Sequence, residues 1–181
     1  MSHKGLRGLI SLLLVFISFA GLSQNRLSDR IFFGGGGGLS ASSNQTNISV
    51  FPQVGYRVFD NYIAGVGVIY QYVRLGSPIN ESLSNYGWSL FNRYNITRQF
   101  FAYGEFERLT FQYFVPNTGF ELKERSGYNS LLLGGGFTNQ ISGNAAFSTS
   151  ILYNVLYDSS DPTQPYNSPW VVRAGIGVGL F

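Results

Sequence analysis

Apolar and polar side chains alternate through the segment 47–74, and this alternation constrains the fold more than any other feature of the sequence. The even-numbered positions from 48 to 58 read Ile, Val, Pro, Val, Tyr and Val, whereas the odd-numbered positions include Gln53 and Arg57. The even-numbered positions from 62 to 72 are again apolar or aromatic. A repeat of two residues puts alternate side chains on opposite faces of a β-strand, whereas a helix repeats every 3.6 residues. The segment is therefore predicted to form two amphipathic strands.

The same period recurs along the rest of the chain, and segments rich in turn-forming residues separate the strands that it predicts. No segment after the first two dozen residues approaches the roughly 18 to 20 consecutive apolar residues of a membrane-spanning helix. We predict a single all-β domain of eight strands, at approximately 30–41, 47–59, 62–74, 84–95, 100–114, 126–140, 145–157 and 169–181.

The polar face of these strands carries glycine, serine and asparagine instead of lysine and glutamate, which is unusual for a surface in water. Only 12% of the residues are charged, against about 25% in an ordinary soluble domain. A narrow barrel needs small side chains and few charges inside, and a lipid-facing surface needs aliphatic side chains bordered by aromatic ones. The predicted strands have about 11 to 14 residues, which is enough to cross a bilayer, because a tilted strand needs roughly 9 to 11 residues to do so. The apolar face is therefore expected to point outward into lipid.

Short and long connections alternate between the predicted strands. The short ones lie at 60–61, 96–99 and 142–144, and the long ones at 42–46, 75–83, 115–125 and 158–168. Outer-membrane barrels have short turns at one rim and longer loops at the other, so both termini belong to the short-turn rim and the strand number is even. Unpaired sheet edges are costly in hydrocarbon. The sequence thus predicts a closed eight-stranded antiparallel up-and-down transmembrane β-barrel.

The first 23 residues are typical of a signal peptide. Lys4 and Arg7 precede an apolar run, and Gly21-Leu22-Ser23 supplies the small residues that a signal peptidase reads. We expect residues 1–23 to be removed and residues 24–181 to form the barrel. Without the first 23 residues the chain keeps 10 basic and 9 acidic residues. Since the arginines are scattered singly, nucleic-acid binding is not expected.

Three segments resemble the small eight-stranded outer-membrane β-barrels of the OmpA/OmpX type. The first is PQVGYRVFDNYIAGVGVIYQY at 52–72, in which one strand turns at Asp-Asn into a Gly-x-Gly strand. The second is LFNRY at 90–94, similar to an aromatic-x-Arg-Tyr strand, and the third is the last strand, which ends in Phe181. The resemblance implies a barrel of the bacterial outer membrane whose terminal Phe181 is read by the barrel-assembly machinery. Ile176 and Val178 have a parity that excludes Phe181, so the facing of the last strand stays open.

The sequence offers little for catalysis. It has no cysteine, and its one histidine, His3, belongs to the predicted signal peptide, which excludes Ser-His-Asp, Cys-His and His or Cys metal sites from the barrel. The glycine runs at 34–38 and 134–136 lack the following helix that a phosphate or dinucleotide loop requires. They are interpreted as bulges or as relief of crowding in the lumen. We expect no enzyme activity, metal or cofactor.

Two carboxylates on one strand are the remaining candidates for chemistry. Glu105 and Glu107 share a face at a separation of about 7 Å by strand rise, which superficially suits hydrolysis by paired carboxylates. In a narrow barrel such groups more often pair with inward arginines. The expected lumen charge network comprises Arg57, Arg93, Glu105, Glu107, Arg108 and Arg173. Same-face pairing sets Arg93 opposite either Tyr103 or Glu105, and both registers let it reach Glu105.

Finer expectations concern which way side chains face. Amphipathic rings favour the rims of a membrane barrel, so these should point outward: Tyr56, Tyr62, Trp88, Tyr94, Tyr113, Tyr153 and Trp170. Four rings should fill the lumen and obstruct a water path: Phe51, Phe91, Tyr103 and Tyr128.

Three irregularities of the ladders are also expected. Pro52 cannot donate to a ladder, which predicts a bulge there. A three-residue turn should pair Phe59 with Ile63 and Arg57 with Gly65. The fifth strand should change parity near Glu107-Arg108, so that Leu109, Phe111 and Tyr113 reach the lipid.

Two classes of function remain open. We favour a non-enzymatic envelope barrel with a structural, adhesive or interaction role, and the alternative is a narrow pore or a conduit for small lipophilic ligands. A secreted soluble ligand-binding barrel is a remoter third class. Outer-membrane lipids are the expected surroundings of a monomer, and the long loops are the expected site for an extracellular partner. Asp158 and Asp161 supply too few ligands for a real calcium site.

Overall fold

The computed structural model describes residues 30–42, 45–77, 80–114, 123–160, 166 and 168–179. The chain divides into two compact units, Met1–Ile31 and Phe32–Phe181, and nearly all of the described residues belong to the second. The predicted signal peptide and Phe181 lie outside the described residues. Within these residues, no helix is long and apolar enough to cross a membrane.

Eight β-strands make up the fold, and each corresponds to one of the predicted strands. Their bounds are β1 Ile31–Ser42, β2 Gln45–Phe59, β3 Tyr62–Leu75, β4 Ser82–Asn95, β5 Phe100–Phe114, β6 Lys123–Ser142, β7 Ala145–Asn154 and β8 Trp170–Val178. β6 starts earlier than predicted because pairing with β5 extends it to Lys123, and β7 ends earlier than predicted, at Asn154.

The strands form a closed barrel in which each strand neighbours the next along the chain. β1 pairs antiparallel with β8, from Phe33 opposite Val178 to Gly36 opposite Gly175. This pairing closes the sheet, and the prediction of a closed eight-stranded antiparallel up-and-down barrel is confirmed.

Side chains alternate between the lumen and the outer surface as the sequence pattern predicts. In β3, Val66, Val68 and Tyr70 are exposed on the outside, while Ile63 and Ile69 are buried inside. Five of the predicted outward aromatics are exposed: Tyr56, Trp88, Tyr94, Tyr153 and Trp170. The Tyr62 hydroxyl donates to Asn92 Oδ1, also on the outer face. The side chain of Tyr113 lies outside the described part.

The sequence leaves the facing of β8 open, and the exposure of its residues shows which positions point outward. Trp170, Val172, Ile176 and Val178 are exposed, and Val172 is 75% exposed, the highest value among the large apolar side chains of the described residues. Gly177 is buried, and Arg173 has only 11% of its side chain exposed. Even-numbered positions of β8 therefore face outward.

The turn between β2 and β3 differs from the prediction. It has two residues, Asp60 and Asn61, and pairs Phe59 with Tyr62 and Arg57 with Ile63. The ladder shifts between Arg57 and Phe59. This bulge lets a two-residue turn join two strands whose facing is as predicted, so the expected three-residue turn, with Phe59 opposite Ile63 and Arg57 opposite Gly65, is wrong.

Pro52 does not produce the expected bulge against β3. The pairs Val50–Tyr70 and Gln53–Gly67 lie on either side of it in the same register. The irregularity falls on β1 instead, where Gly35 has a φ of 147°, and a Cβ there would lie 2.6 Å from the Phe51 carbonyl oxygen and 2.8 Å from Pro52 Cα. A glycine on the neighbouring strand thus accommodates the proline.

β5 keeps one register throughout, so the predicted parity change near Glu107-Arg108 is wrong. Ser89–Glu107, Trp88–Arg108 and Gly87–Leu109 are consecutive pairs with β4, and the ladder to β6 is equally regular. Leu109 and Phe111 are buried in the lumen, not exposed outside. The next two outer positions after Arg108, Thr110 and Gln112, are polar, so an apolar inner face at Leu109 and Phe111 needs no bulge.

Gly35→Ala should destabilise the barrel, because a side chain there meets the β2 backbone and the φ value is unfavourable for alanine. We expect a loss of about 1–3 kcal/mol in the free energy of unfolding, measured by urea unfolding followed through tryptophan fluorescence. Gly104→Ala is the matched control, since its new Cβ meets only the end of the Leu133 side chain, at 3.3 Å. Equal midpoints for the two variants would contradict this account.

Candidate functional site

An ion-pair cluster crosses the lumen between β5 and β8. Glu105 and Glu107 follow the inward parity of β5 and are 1% and 0% exposed. Arg173 reaches them from the opposite side of the barrel, with Nη1 contacting Glu105 Oε2 and Nη2 contacting Glu107 Oε1. One guanidinium therefore binds both carboxylates, as its planar fork allows.

Neutral groups complete the coordination of both carboxylates. Gln53 Nε2 donates to Glu105 Oε1 at 3.2 Å and to the Tyr103 hydroxyl at 2.8 Å. The Tyr166 hydroxyl, which comes from the connection between β7 and β8, donates to Glu107 Oε2 at 2.6 Å. Each buried carboxylate thus has an arginine and a neutral donor, which is the condition for burying a charge at tolerable cost.

Arg93 lies in the lumen but does not contact Glu105, so that part of the expected network is wrong. It is paired with Tyr103 across the ladder, the first of the two predicted registers. Its Nε donates to Asn95 Oδ1 at 2.9 Å, its Nη2 donates to Thr138 Oγ1 at 2.5 Å, and its Cζ lies 3.6 Å from the centre of the Phe101 ring. Among the described residues it has no ion pair.

The remaining two predicted arginines lie apart from this cluster. Arg57 Nη2 donates to the Gly179 carbonyl at 2.7 Å, and its buried Nε has no partner among the described residues. Arg108 is on the outer surface, where Nη1 donates to Asn129 Oδ1 at 2.8 Å. Its inclusion in the lumen network is therefore wrong, because the regular β5 ladder gives Arg108 the opposite face to Glu107.

Two cavities flank the cluster inside the barrel. One of about 60 Å³ is bordered by Phe32, Gln53, Arg93 and Ser148 among others. The other, of about 110 Å³, is bordered by Gln71, Leu109 and Tyr166 among others. Phe51 and Arg173 border both, and the Arg173 guanidinium lies 4.9 Å from the centre of the Phe51 ring. These two side chains therefore separate the cavities.

Apolar clusters lie on each side of the ion pairs. Phe32, Ile63, Phe91 and Ala146 pack together with Tyr103 toward the short-turn rim. Ile69, Leu109 and Phe111 pack together with Phe51 and Tyr128 toward the long-loop rim. All four rings predicted to fill the lumen are in these clusters, which leaves little room for a continuous water path.

The lumen residues that sequence reasoning missed are Gln53 and Tyr166. Gln53 is detectable in principle, because it has the inward parity of β2. Tyr166 carries no signal, because a loop side chain that turns back into a barrel follows no period. The sequence also does not indicate which inward arginine meets the glutamates, since that depends on contacts across the lumen, not along a ladder.

The described residues contain no group of three or more His, Cys, Asp or Glu side chains that could hold a metal ion. Asp158 accepts hydrogen bonds from the hydroxyl and the backbone N–H of Ser160, at 2.6 and 2.9 Å, and these bonds lower the pKa of its carboxyl. Asp161 lies outside the described residues. Asp158 thus stabilises a local turn.

No family model matches the chain, and no curated protein matches it. Among solved structures, it is similar to the N-terminal β-barrel domain of Pseudomonas aeruginosa OprF, with a TM-score of 0.44 and 11% sequence identity, over 83% of this chain and 96% of that one. The closed pairing of β1 with β8, and not this likeness, defines the fold.

Arg173→Met should strongly destabilise the barrel, because it leaves two buried carboxylates without a cation. We expect a loss of about 3–5 kcal/mol in the free energy of unfolding, measured by urea unfolding and refolding. Adding Glu105→Gln and Glu107→Gln to this variant should restore much of the loss. Arg57→Met, which removes an inward arginine that has no ion pair among the described residues, should cost clearly less. A similar loss in both single variants, with no rescue, would contradict the assigned pairing.

Proposed function

We propose that this chain is an integral outer-membrane β-barrel without enzyme activity, with a structural, adhesive or interaction role in the bacterial envelope. The observation that carries the proposal is the polarity of the barrel. Its charged cluster is inside, while large apolar side chains are exposed on the outside of the described strands, for example Val54, Val68, Leu90, Ile151 and Val172. Soluble monomers rarely expose so many large apolar side chains on one surface, whereas a bilayer requires such a surface.

Pairs of tyrosines border the apolar surface at both ends, and their separation can be compared with the thickness of a membrane's apolar layer. Tyr62 pairs with Tyr94 near the short turns, and Tyr70 pairs with Tyr86 toward the long loops. Eight residue steps along β3 separate these two pairs, about 26 Å along the strand and about 20 Å along the barrel axis if the strands are tilted by 35–45°. This is close to the apolar band of roughly 25 Å in membrane barrels.

The change of polarity along β5 supports the same position in a membrane. Up to Glu107 the outer face carries Phe106, and the inner face carries Glu105 and Glu107 in addition to Phe101 and Tyr103. Beyond Arg108 the inner face carries Leu109 and Phe111, and the next two outer residues, Thr110 and Gln112, are polar. An element whose outer surface passes from lipid into water requires this inversion.

The location and biogenesis belong to the same proposal. The predicted signal peptide at 1–23 and the resemblance to OmpA/OmpX-type barrels support export to the outer membrane and recognition of Phe181 by the barrel-assembly machinery. We expect a monomer that contacts outer-membrane lipids. An extracellular partner would bind the long loops, because short turns offer little surface.

A charge in the middle of the apolar belt tests membrane insertion directly. Leu90→Arg should lower the stability of the refolded barrel in lipid vesicles by about 2–4 kcal/mol. Ile96→Arg is the matched control, since Ile96 is equally apolar and 63% exposed, against 47% for Leu90, but lies in the short turn after β4. Ile96→Arg should be nearly neutral.

The opposite result would show a soluble barrel. If wild-type protein stays monodisperse without detergent, and Leu90→Arg changes its stability no more than Ile96→Arg, the outer surface faces water and the membrane proposal is wrong.

The alternative function, a narrow pore or ligand conduit, is opposed by the side chains between the two cavities. Phe51, Arg173 and the two glutamates occupy the middle of the lumen. We therefore expect no discrete conductance steps from the wild-type barrel in planar bilayers, with a porin as the positive control. Reproducible steps that disappear with the protein would favour the pore.

A further inference from the structure

Two arginines lie on the outer surface of the barrel where its apolar belt ends. Arg108 of β5 is opposite Trp88 of β4, one of the outward aromatic residues. Arg125 of β6 lies near the start of its strand, and both arginines are exposed. A charge on the lipid-facing side costs about 2–4 kcal/mol at mid-membrane and about 0–1 kcal/mol at the boundary, so these arginines fit the boundary at the long-loop rim.

The two guanidinium groups lie on either side of Thr110 on the outer surface. Thr110 pairs with Tyr86 on one side and with Gly127 on the other. The Arg108 guanidinium extends over Gly127, into space that any other residue's side chain would fill. The Arg125 Cζ lies 5.0 Å from the centre of the Tyr86 ring. The two cations therefore lie over neighbours on opposite sides of Thr110, about 10 Å apart by two strand spacings.

Neither cation is neutralised by the residues described. Arg108 donates to the neutral Asn129, and Arg125 stacks on an aromatic ring. The two ion pairs found among the described residues lie in the lumen, and both are made by Arg173. Glu124 precedes Arg125 but has the inward parity of β6. Two exposed cations on the same patch create a positive potential that favours binding of an anion between them.

We propose that Arg108 and Arg125, with the Thr110 hydroxyl between them, bind the phosphate group of an anionic lipid in the leaflet at the long-loop rim. This proposal rests on the membrane insertion proposed above. A phosphate accepts hydrogen bonds from both forks, which suit its geometry better than an ammonium does.

The surroundings favour a lipid over a soluble phosphate. Immediately toward the middle of the belt lie Leu90, Phe106 and Leu131, in one row of paired residues. This row offers an apolar surface to acyl chains directly beneath the phosphate. Trp88 and Tyr86 border the same site and have the amphipathic character of residues at headgroup level.

The test compares lipid retention by single variants. Wild type, Arg108→Gln, Arg125→Gln and the double variant are refolded into nanodiscs of phosphatidylcholine with a minor share of phosphatidylglycerol. Native mass spectrometry then measures the phosphatidylglycerol bound to the released barrel relative to its share in the disc. Arg98→Gln is the matched control, because Arg98 is an exposed arginine in the short turn at the other rim.

We expect wild type and Arg98→Gln to retain phosphatidylglycerol in excess of its share in the disc. Arg108→Gln and Arg125→Gln should each reduce this excess about five-fold. The double variant should show no excess. Soluble glycerol phosphate added to phosphatidylcholine discs should not bind, and its binding would assign the site to a free phosphate. Equal retention by wild type and the double variant, or an equal loss in Arg98→Gln, would overturn the proposal. Failure of the wild type to insert would instead refute the membrane function itself.

Discussion

An eight-stranded barrel encloses a space only just wide enough for side chains, so several of its large inward rings lie against glycines. A Cβ at Gly65 would lie 2.6 Å from Phe91 Cζ, and one at Gly36 would lie 2.6 Å from Phe51 Cζ. The glycines that close the barrel between β1 and β8 thus also make room for Phe51, against which Arg173 packs. The position of the charged cluster depends on this packing of large side chains against small ones.

Electrostatics adds a second condition to the lumen. Two glutamates on one face of β5 would repel each other in a space with little water, and Arg173 removes that repulsion by binding both. Because β5 and β8 are not neighbours in the sheet, these ion pairs connect opposite walls of the barrel. Arg93 and Arg57 have only neutral partners among the described residues, so neither takes part in the ion pairs of Arg173.

The strands, their closure and most facings could be predicted because a period of two is a local property of the chain. What failed depends on distant contacts. The β2–β3 register required knowledge of the bulge between Arg57 and Phe59, and the effect of Pro52 was absorbed by Gly35 on another strand. The rule that paired residues share a face limited the residue opposite Arg93 to two candidates. The Arg93 side chain, however, extends to Asn95 and Thr138 instead of Glu105. Only the folded barrel brings such groups together.

The wrong inward facing predicted for Arg108 has a different cause, which is the assumed environment of the strand. The expectation that Leu109 and Phe111 need lipid assumed that lipid surrounds the whole length of β5. The strand instead keeps its register, and its polarity inverts between Glu107 and Leu109. In a membrane barrel, apolar side chains face lipid within the belt and face the lumen above it, since water then lies outside. If the barrel is inserted as proposed, the regular ladder with this change of polarity places Arg108, an outward residue of β5, at the level of the membrane surface.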